Sequence, residues 1–442
     1  MVRLKKRLLS GVTLAVSLLT LCGCSSASVE ELLSPPRLDG EQTEIYEALR
    51  SFTNNDIVLK YPRSGQYRSA FVVTDLDNEP TDEAIVFYET SNISDGSSLR
   101  MNFLDKQGGK WVSVYDFAAS GSEVDSVRFE DLGGESPNII VTYLVQNSSD
   151  HYTSIMKYTD GIPEELVNVR NIYMDVFDAN GDGVLDVFTI TNERTAGSSV
   201  AGIYSNTAEG FGQIGKTRLN SGFAGIKDVV CGVFDEKGTT AVFIDYAFSD
   251  GSFGTDAVIC TPDYSYLSPV LGPENIYRLE NTYTPYVPCM DIDGDGLIEI
   301  PATQPFSDYL DVPDAEKVNS TIWYSLDRAG TFKEVKLRSY IGTKGDHMLV
   351  FPEKWGSFVT AAVSISDMTV RFNRYNEVDD TPEEVLMTLC GAAEGNTGKY
   401  SGSGYIFLGT SDNTGYSYYA KLGTGSRAPP EEELREMFRL LQ

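Results

Sequence analysis

The stretch Met174-Asp-Val-Phe-Asp178-Ala-Asn180-Gly-Asp182-Gly-Val-Leu-Asp186-Val-Phe-Thr-Ile190 sets the reading of the whole chain. Oxygen-bearing side chains stand at positions 1, 3, 5 and 9 of a nine-residue loop. Two glycines let the backbone turn tightly, and the Val-, Phe- and Ile-rich flanks read as strands. The same pattern returns at Cys289-Met-Asp291-Ile-Asp293-Gly-Asp295-Gly-Leu-Ile-Glu299-Ile300. Ligands on alternate residues of such a turn converge on one point. Hard oxygen donors without nitrogen or sulfur select calcium or magnesium, and calcium tolerates the irregular geometry better. The candidate ligands are therefore Asp178, Asn180, Asp182 and Asp186, and Asp291, Asp293, Asp295 and Glu299.

Weaker copies lie on either side. Asp75, Asp77, Glu79 and Glu83 match the loops in charge, but this copy lacks both glycines and carries Pro80. The copy at Asp131 has Gly133 at position 3 and Ile139 at position 9, and the copy at Asp235 keeps almost no ligands; both read as plain turns. The leading aspartates fall at 75, 131, 178, 235 and 291, and an eroded sixth copy is expected at Gly345-Asp346. Short strands broken by Gly, Asn and Ser turns at a period of roughly 54 residues predict an all-β chain of radially stacked four-stranded sheets. This is a β-propeller of about seven blades, with six as the alternative.

The first half of each good loop mimics an EF-hand. Position 12, however, is Thr189 or Ala302 and not a bidentate Glu, and the flanks are strands rather than helices. With strand flanks and a ninth-position acid, the loops resemble FG-GAP/VCBS repeats, which occur in the propeller of integrin α-subunits and in many exported bacterial proteins. The resemblance covers about residues 56–375, and two of the five loops match well. It implies calcium as a structural ion held by the ligand positions named above.

The two ends differ from the body. Arg3, Lys5, Lys6 and Arg7 precede the apolar run Leu8 to Leu19, and Leu21-Cys22-Gly23-Cys24 follows. The run is short for a membrane span and has the flanks of a signal peptide. Its ending resembles a bacterial lipobox, which implies removal of residues 1–23 and lipidation of Cys24, followed by a flexible tether over 24–38. The alternative is ordinary signal cleavage near Ala27. The propeller with an N-terminal helix is expected over 39–425 and a C-terminal helix over 426–442. Asp39 can cap the first helix, with Gln42 reaching back and Ile45, Ala48, Leu49 and Phe52 forming its apolar stripe. Leu434, Met437, Phe438 and Leu441 form the face of the second.

Composition narrows the function. With 64 acidic against 35 basic residues the chain carries a net charge of -29, so nucleic acid and anionic lipid surfaces are poor partners. Cys231, Cys260, Cys289 and Cys390 match no zinc spacing and read as buried free thiols, a Cys231–Cys260 disulfide being the alternative. Gly210 to Thr217 formally fits a P-loop but has neither the strand before it nor the helix after it, and reads as a hairpin. The two histidines, His151 and His347, read as surface residues, and Tyr416, Tyr418 and Tyr419 as a possible sugar-binding face. No catalytic residue is evident. The expectation is a lipid-anchored module on the extracytoplasmic face of the cell membrane, or of the outer membrane in a diderm host, that binds a protein or glycan. The alternatives are a polysaccharide-active enzyme with a site in the central channel and a structural or regulatory envelope lipoprotein. Fold alone does not choose among these.

Overall fold

A computed structural model describes residues 38–53, 57–90, 98–192, 198–233, 235–260, 267–269, 287–313, 316–326, 332–356, 358–376, 381–400, 402 and 404–441. The signal segment, Cys24 and nearly all of the tether lie outside the described residues. What is described is almost entirely antiparallel β-structure in six sheets of four or five strands.

The first sheet contains Ile57–Leu59, Phe71–Thr74, Glu83–Thr90, Leu99–Gln107 and Lys110–Ala118. The second runs Glu123–Glu130, Asn138–Leu144, His151–Thr159, Ile162–Asn171, and the third Tyr173–Phe177, Asp186–Asn192, Ser198–Thr207, Gly210–Ser221. The fourth comprises Phe223–Val233, Thr240–Phe248, Phe253–Cys260 and Leu267–Pro269. The fifth holds Ile300–Pro305, Asn319–Leu326, Phe332–Ile341 and His347–Val350, with Phe438–Leu440 added at its edge. The sixth holds Val359–Ser364, Thr369–Asn376, Thr381–Ala392, Ser417–Leu422 and Ile406–Thr410, the last two exchanged in spatial order.

Local chemistry explains the tight connections. Gly108-Gly109 (φ 58° and 79°) and Asp160-Gly161 (φ 50° and 79°) are two-residue hairpin turns with both central residues left-handed, which matches the right-handed twist of the strands they join. The strands that follow the acidic loops of the first and third sheets are buried on both faces. Ala84 to Tyr88 and Val187 to Ile190 are continuous buried runs rather than alternating patterns, because each sheet is covered by its neighbours.

Apolar clusters join the sheets in chain order. Val72, Phe87 and Phe103 pack with Val127, Val141 and Met156. Leu132 and Ile140 meet Val187, and Phe188 and Ile203 meet Val242 and Ile244. Phe243 then meets Ile300 and Leu326, and Tyr340 and Leu349 meet Phe372 and Leu389. Successive sheets thus stack through shared cores. Among the described residues no such cluster joins the sixth sheet to the first. Six is the smaller of the two numbers that the repeat spacing allowed.

Both end helices form, with one change. The first spans Gly40–Thr53; Asp39 Oδ1 accepts the Gln42 N–H at 2.8 Å, a cap contributing about 1 kcal/mol. Ile45 and Leu49 are buried against the first sheet, while Phe52 faces solvent. The second helix stops at Met437, earlier than the sequence pattern suggests. Phe438–Leu440 turns into a strand against His347–Leu349, because pairing with the open edge of the fifth sheet outweighs one more helical turn. No helix among the described residues is long and apolar enough to cross a membrane. Gly210 to Thr217 lies in the last strand of the third sheet, as expected of a hairpin.

Gly345-Asp346 is not a sixth copy of the acidic loop. It lies in the turn between the strands Phe332–Ile341 and His347–Val350, whereas the acidic loops lead into a buried strand near the start of a sheet. Asp346 is instead an interior tie. Its carboxylate accepts the Tyr418 hydroxyl at 2.8 and 2.7 Å, contacts His347 Nδ1 at 2.9 Å and also accepts the Thr414 hydroxyl. Burial pushes its carboxyl up, but the hydrogen bonds from His347, Thr414 and Tyr418 outweigh it and hold the carboxyl well below the usual range. His347 is accordingly buried between Tyr418 and Phe438 and is not a surface histidine. Tyr418 is buried too, while Tyr416 and Tyr419 are partly buried, so the three do not lie open together on one face.

Candidate metal centres

The acidic loops share one construction. In the first, Asp75 follows the strand Phe71–Thr74 and Glu83 opens the next; in the third sheet Asp178 follows Tyr173–Phe177 and Asp186 opens the next. In the fifth sheet Met290 bridges to Glu299 across the loop. Position 2 is buried in four of the five copies, as Leu76, Leu132, Ala179 and Ile292, and so pins the loop to the core; in the degenerate Asp235 copy it is the exposed Glu236.

The ninth-position acids are buried: Glu83 is 2% exposed, Asp186 0% and Glu299 0%. Each accepts the backbone N–H of position 2: Leu76 to Glu83 Oε2 at 2.8 Å, Ala179 to Asp186 Oδ2 at 3.0 Å, Ile292 to Glu299 Oε2 at 3.1 Å. The other oxygen is different. Glu299 Oε1 and Asp186 Oδ1 are buried without a hydrogen bond of ordinary geometry, although the Ser205 hydroxyl lies near enough to Asp186 to favour its charge. A buried carboxylate oxygen without a donor is costly and calls for a cation or a proton. Burial accordingly pushes Glu83 and Glu299 up to about 7 and Asp186 up to about 6, and neighbouring loop carboxylates push the same way.

Two loops gather three carboxylates. Asp75, Asp77 and Glu83 bring one oxygen each within 4.8 Å of one another, and so do Asp291, Asp293 and Glu299. The first loop does this without its glycines because Asn78 takes the left-handed conformation (φ 63°) that Gly181 (77°) and Gly294 (84°) take at the same position. Asparagine is among the few other residues that adopt it readily. Glu79 stays exposed and outside that group.

The Asp178 loop, the best match by sequence, stays outside the same distance with its three carboxylates. Asp178 instead accepts the N–H groups of Gly181, Asp182 and Gly183 at 2.7, 3.1 and 2.8 Å, and Asn180 Oδ1 accepts that of Asp182 at 2.8 Å. In the last loop Asp295 turns away to Lys336, whose Nζ lies 2.7 Å from Asp295 Oδ2 and 3.9 Å from Asp293 Oδ2. This lysine, which lies on a strand of the same sheet, is the contact that sequence reading missed. It carries no local signal, being 41 residues from Asp295.

The two weak copies are turns. Asp131 accepts the Gly133 N–H, and Asp235 accepts those of Lys237 and Thr239. The second sheet's loop is one residue shorter than the other loops' spacing predicts: Asn138, not Ile139, opens the strand and is buried where the three acidic loops have an acid. All four described cysteines carry free thiols, in keeping with the preferred reading, and burial pushes Cys231 up to about 12.

No family model matches the chain, and no curated protein does. Among solved structures it is similar to the exotype rhamnogalacturonan lyase YesX, at 10% identity and a TM-score of 0.29, covering 83% of this chain. The chain spans 63% of that lyase's own length. It is also similar to Sqt1 of Chaetomium thermophilum, at 8% identity and a TM-score of 0.27, with 84% of this chain and 98% of the other covered. A protein from Lactobacillus plantarum follows at 7% identity and a TM-score of 0.19, covering 68% and 94%. At these values the likeness is loose.

Proposed function

We propose that the protein is an extracytoplasmic, lipid-anchored binding module: a propeller of FG-GAP/VCBS-like sheets whose acidic loops are clamped by calcium. The observation that carries the metal reading is the buried Glu299 Oε1, which has no donor and belongs to the same carboxylate group as Asp291 and Asp293. The ion would tie the loop to the buried strand it enters, and so stiffen a sheet without taking part in chemistry. Asp75, Asp77 and Glu83 would hold a second ion, and Asp178, Asn180, Asp182 and Asp186 a third once the loop lets go of its own N–H groups.

The anchor rests on Leu21 to Cys24. Cys24→Ser should leave unprocessed, unlipidated precursor; normal cleavage and lipid labelling of that variant would refute the anchor. The binding role is the reading we adopt over catalysis. Asp346 and His347 are buried and tied to Tyr418, so this histidine–carboxylate pair is read as a structural contact. The metal reading is tested by metal analysis of the purified protein and by calorimetry with and without chelator. Extracellular calcium modules bind with Kd of about 10⁻⁴ to 10⁻³ M. At roughly 1 mM free ion each site then contributes about 0.4–1.4 kcal/mol. Chelation should lower the melting temperature without unfolding the chain at room temperature. No retained calcium and an unchanged melting curve would leave three acidic turns in place of the sites.

A further inference from the structure

A cavity of about 450 Å³ lies beside the first strands of the third and fourth sheets, away from the acidic loops. Its volume falls in the range of small-ligand clefts, roughly 300–1,000 Å³. Tyr173 and Phe223 supply aromatic surface to it, and Asn192, Ser149, Lys227 and Asp228 supply polar groups. Asp228 is half-buried and has no hydrogen bond or ion pair among the described residues. Burial raises its carboxyl. Its cross-strand partner is Asp245, which is fully buried and already engaged by the Thr255 hydroxyl and the Cys289 N–H. Asp245 therefore has nothing to give Asp228, and the adjacent Lys227, exposed and lining the same cavity, makes no ion pair with it.

We propose that this cavity binds a neutral saccharide unit, with Asp228 accepting a sugar hydroxyl. The deduction rests on the reading of the protein as a binding module and names its ligand class. Asp228, half-open to the cavity and with no donor from the described residues, can exchange its water for a sugar hydroxyl on binding. A lysine and an aspartate line the same cavity, so an anion meets Asp228 and a cation meets Lys227, while a polyhydroxyl ligand meets an acceptor and a donor. Tyr173 and Phe223, the latter with one face stacked on Tyr246, add apolar ring surface beside these polar groups, which suits the mixed C–H and hydroxyl surface of a pyranose, and the Asn192 amide, whose Oδ1 already accepts the Ser199 hydroxyl, adds N–H donors.

The test is ligand-observed NMR and calorimetry on the full chain in calcium-containing buffer. D-Glucose, D-galactose and N-acetyl-D-glucosamine serve as neutral probes, D-galacturonate as the anionic probe and D-glucosamine as the cationic one. At least one neutral probe is expected to bind more tightly than either charged probe. Asp228→Asn should weaken it about tenfold, and Lys227→Ala, at an exposed position, should weaken it severalfold. Neither variant should alter the calcium-dependent melting shift, which judges the metal reading separately. Absence of binding by every neutral probe, preference for a charged one, or parental affinity in both variants would overturn the proposal.

Discussion

Replacing Lys336 with Gln should separate the two carboxylate groups. In the absence of a divalent ion its ammonium neutralises the last loop, 2.7 Å from Asp295 and 3.9 Å from Asp293. A calcium ion arriving among Asp291, Asp293 and Glu299 meets that charge. Taking charges of one and two at about 5 Å in an effective dielectric near 80, the repulsion is about 1.7 kcal/mol, or roughly an order of magnitude in Kd. The high dielectric is appropriate because Asp295 is partly open to water, and salt lowers the figure further. Lys336→Gln is thus expected to tighten calcium at this loop about tenfold. It should also lower the melting temperature of the calcium-free protein, because the loop loses its built-in counter-charge. The Asp75 loop, with no lysine among its described contacts, should keep its affinity. Isothermal titration at low salt on parent and variant reads both sites. An affinity changed by less than about twofold, or weakened, would refute the idea that the lysine competes for the same charge.

Other outcomes follow from the same geometry. Glu299→Gln should abolish the calcium-dependent melting shift of its loop, whereas Asp295→Ala should only reduce it, because Asp295 is held by Lys336 outside the three-carboxylate group; calorimetry with and without chelator distinguishes them. Asp245, pushed up to about 6 by burial, binds a proton in the folded chain over a range where the unfolded chain does not. Its contribution to stability therefore falls as pH rises from about 4 to about 6, by roughly 2–3 kcal/mol in all, and Asp245→Asn should flatten that part of the melting-temperature profile. Tyr418→Phe removes the hydroxyl that Asp346 accepts and should cost about 1–3 kcal/mol in denaturant unfolding, loosening the contact between the fifth and sixth sheets.

The acidic loops, the strand flanks and the first helix were legible because each is written within about ten residues: alternate oxygen ligands, a turn that needs left-handed backbone, a capping aspartate three residues from its partner. The all-β class followed from the recurrence of that local unit. What the loops do was decided elsewhere. Asn78 rather than a glycine makes the first turn, and only the backbone angle reveals it. Lys336 reaches Asp295 across 41 residues, and Tyr418 reaches Asp346 across 72. Asp228 and Asp245 become neighbours only through a strand register that contains a bulge. Local spacing fixes dihedral preference and the convergence of nearby ligands. Which charge is neutralised, and which side chain is buried, depends on pairing between distant strands, and that pairing is set by how the apolar faces of successive sheets pack.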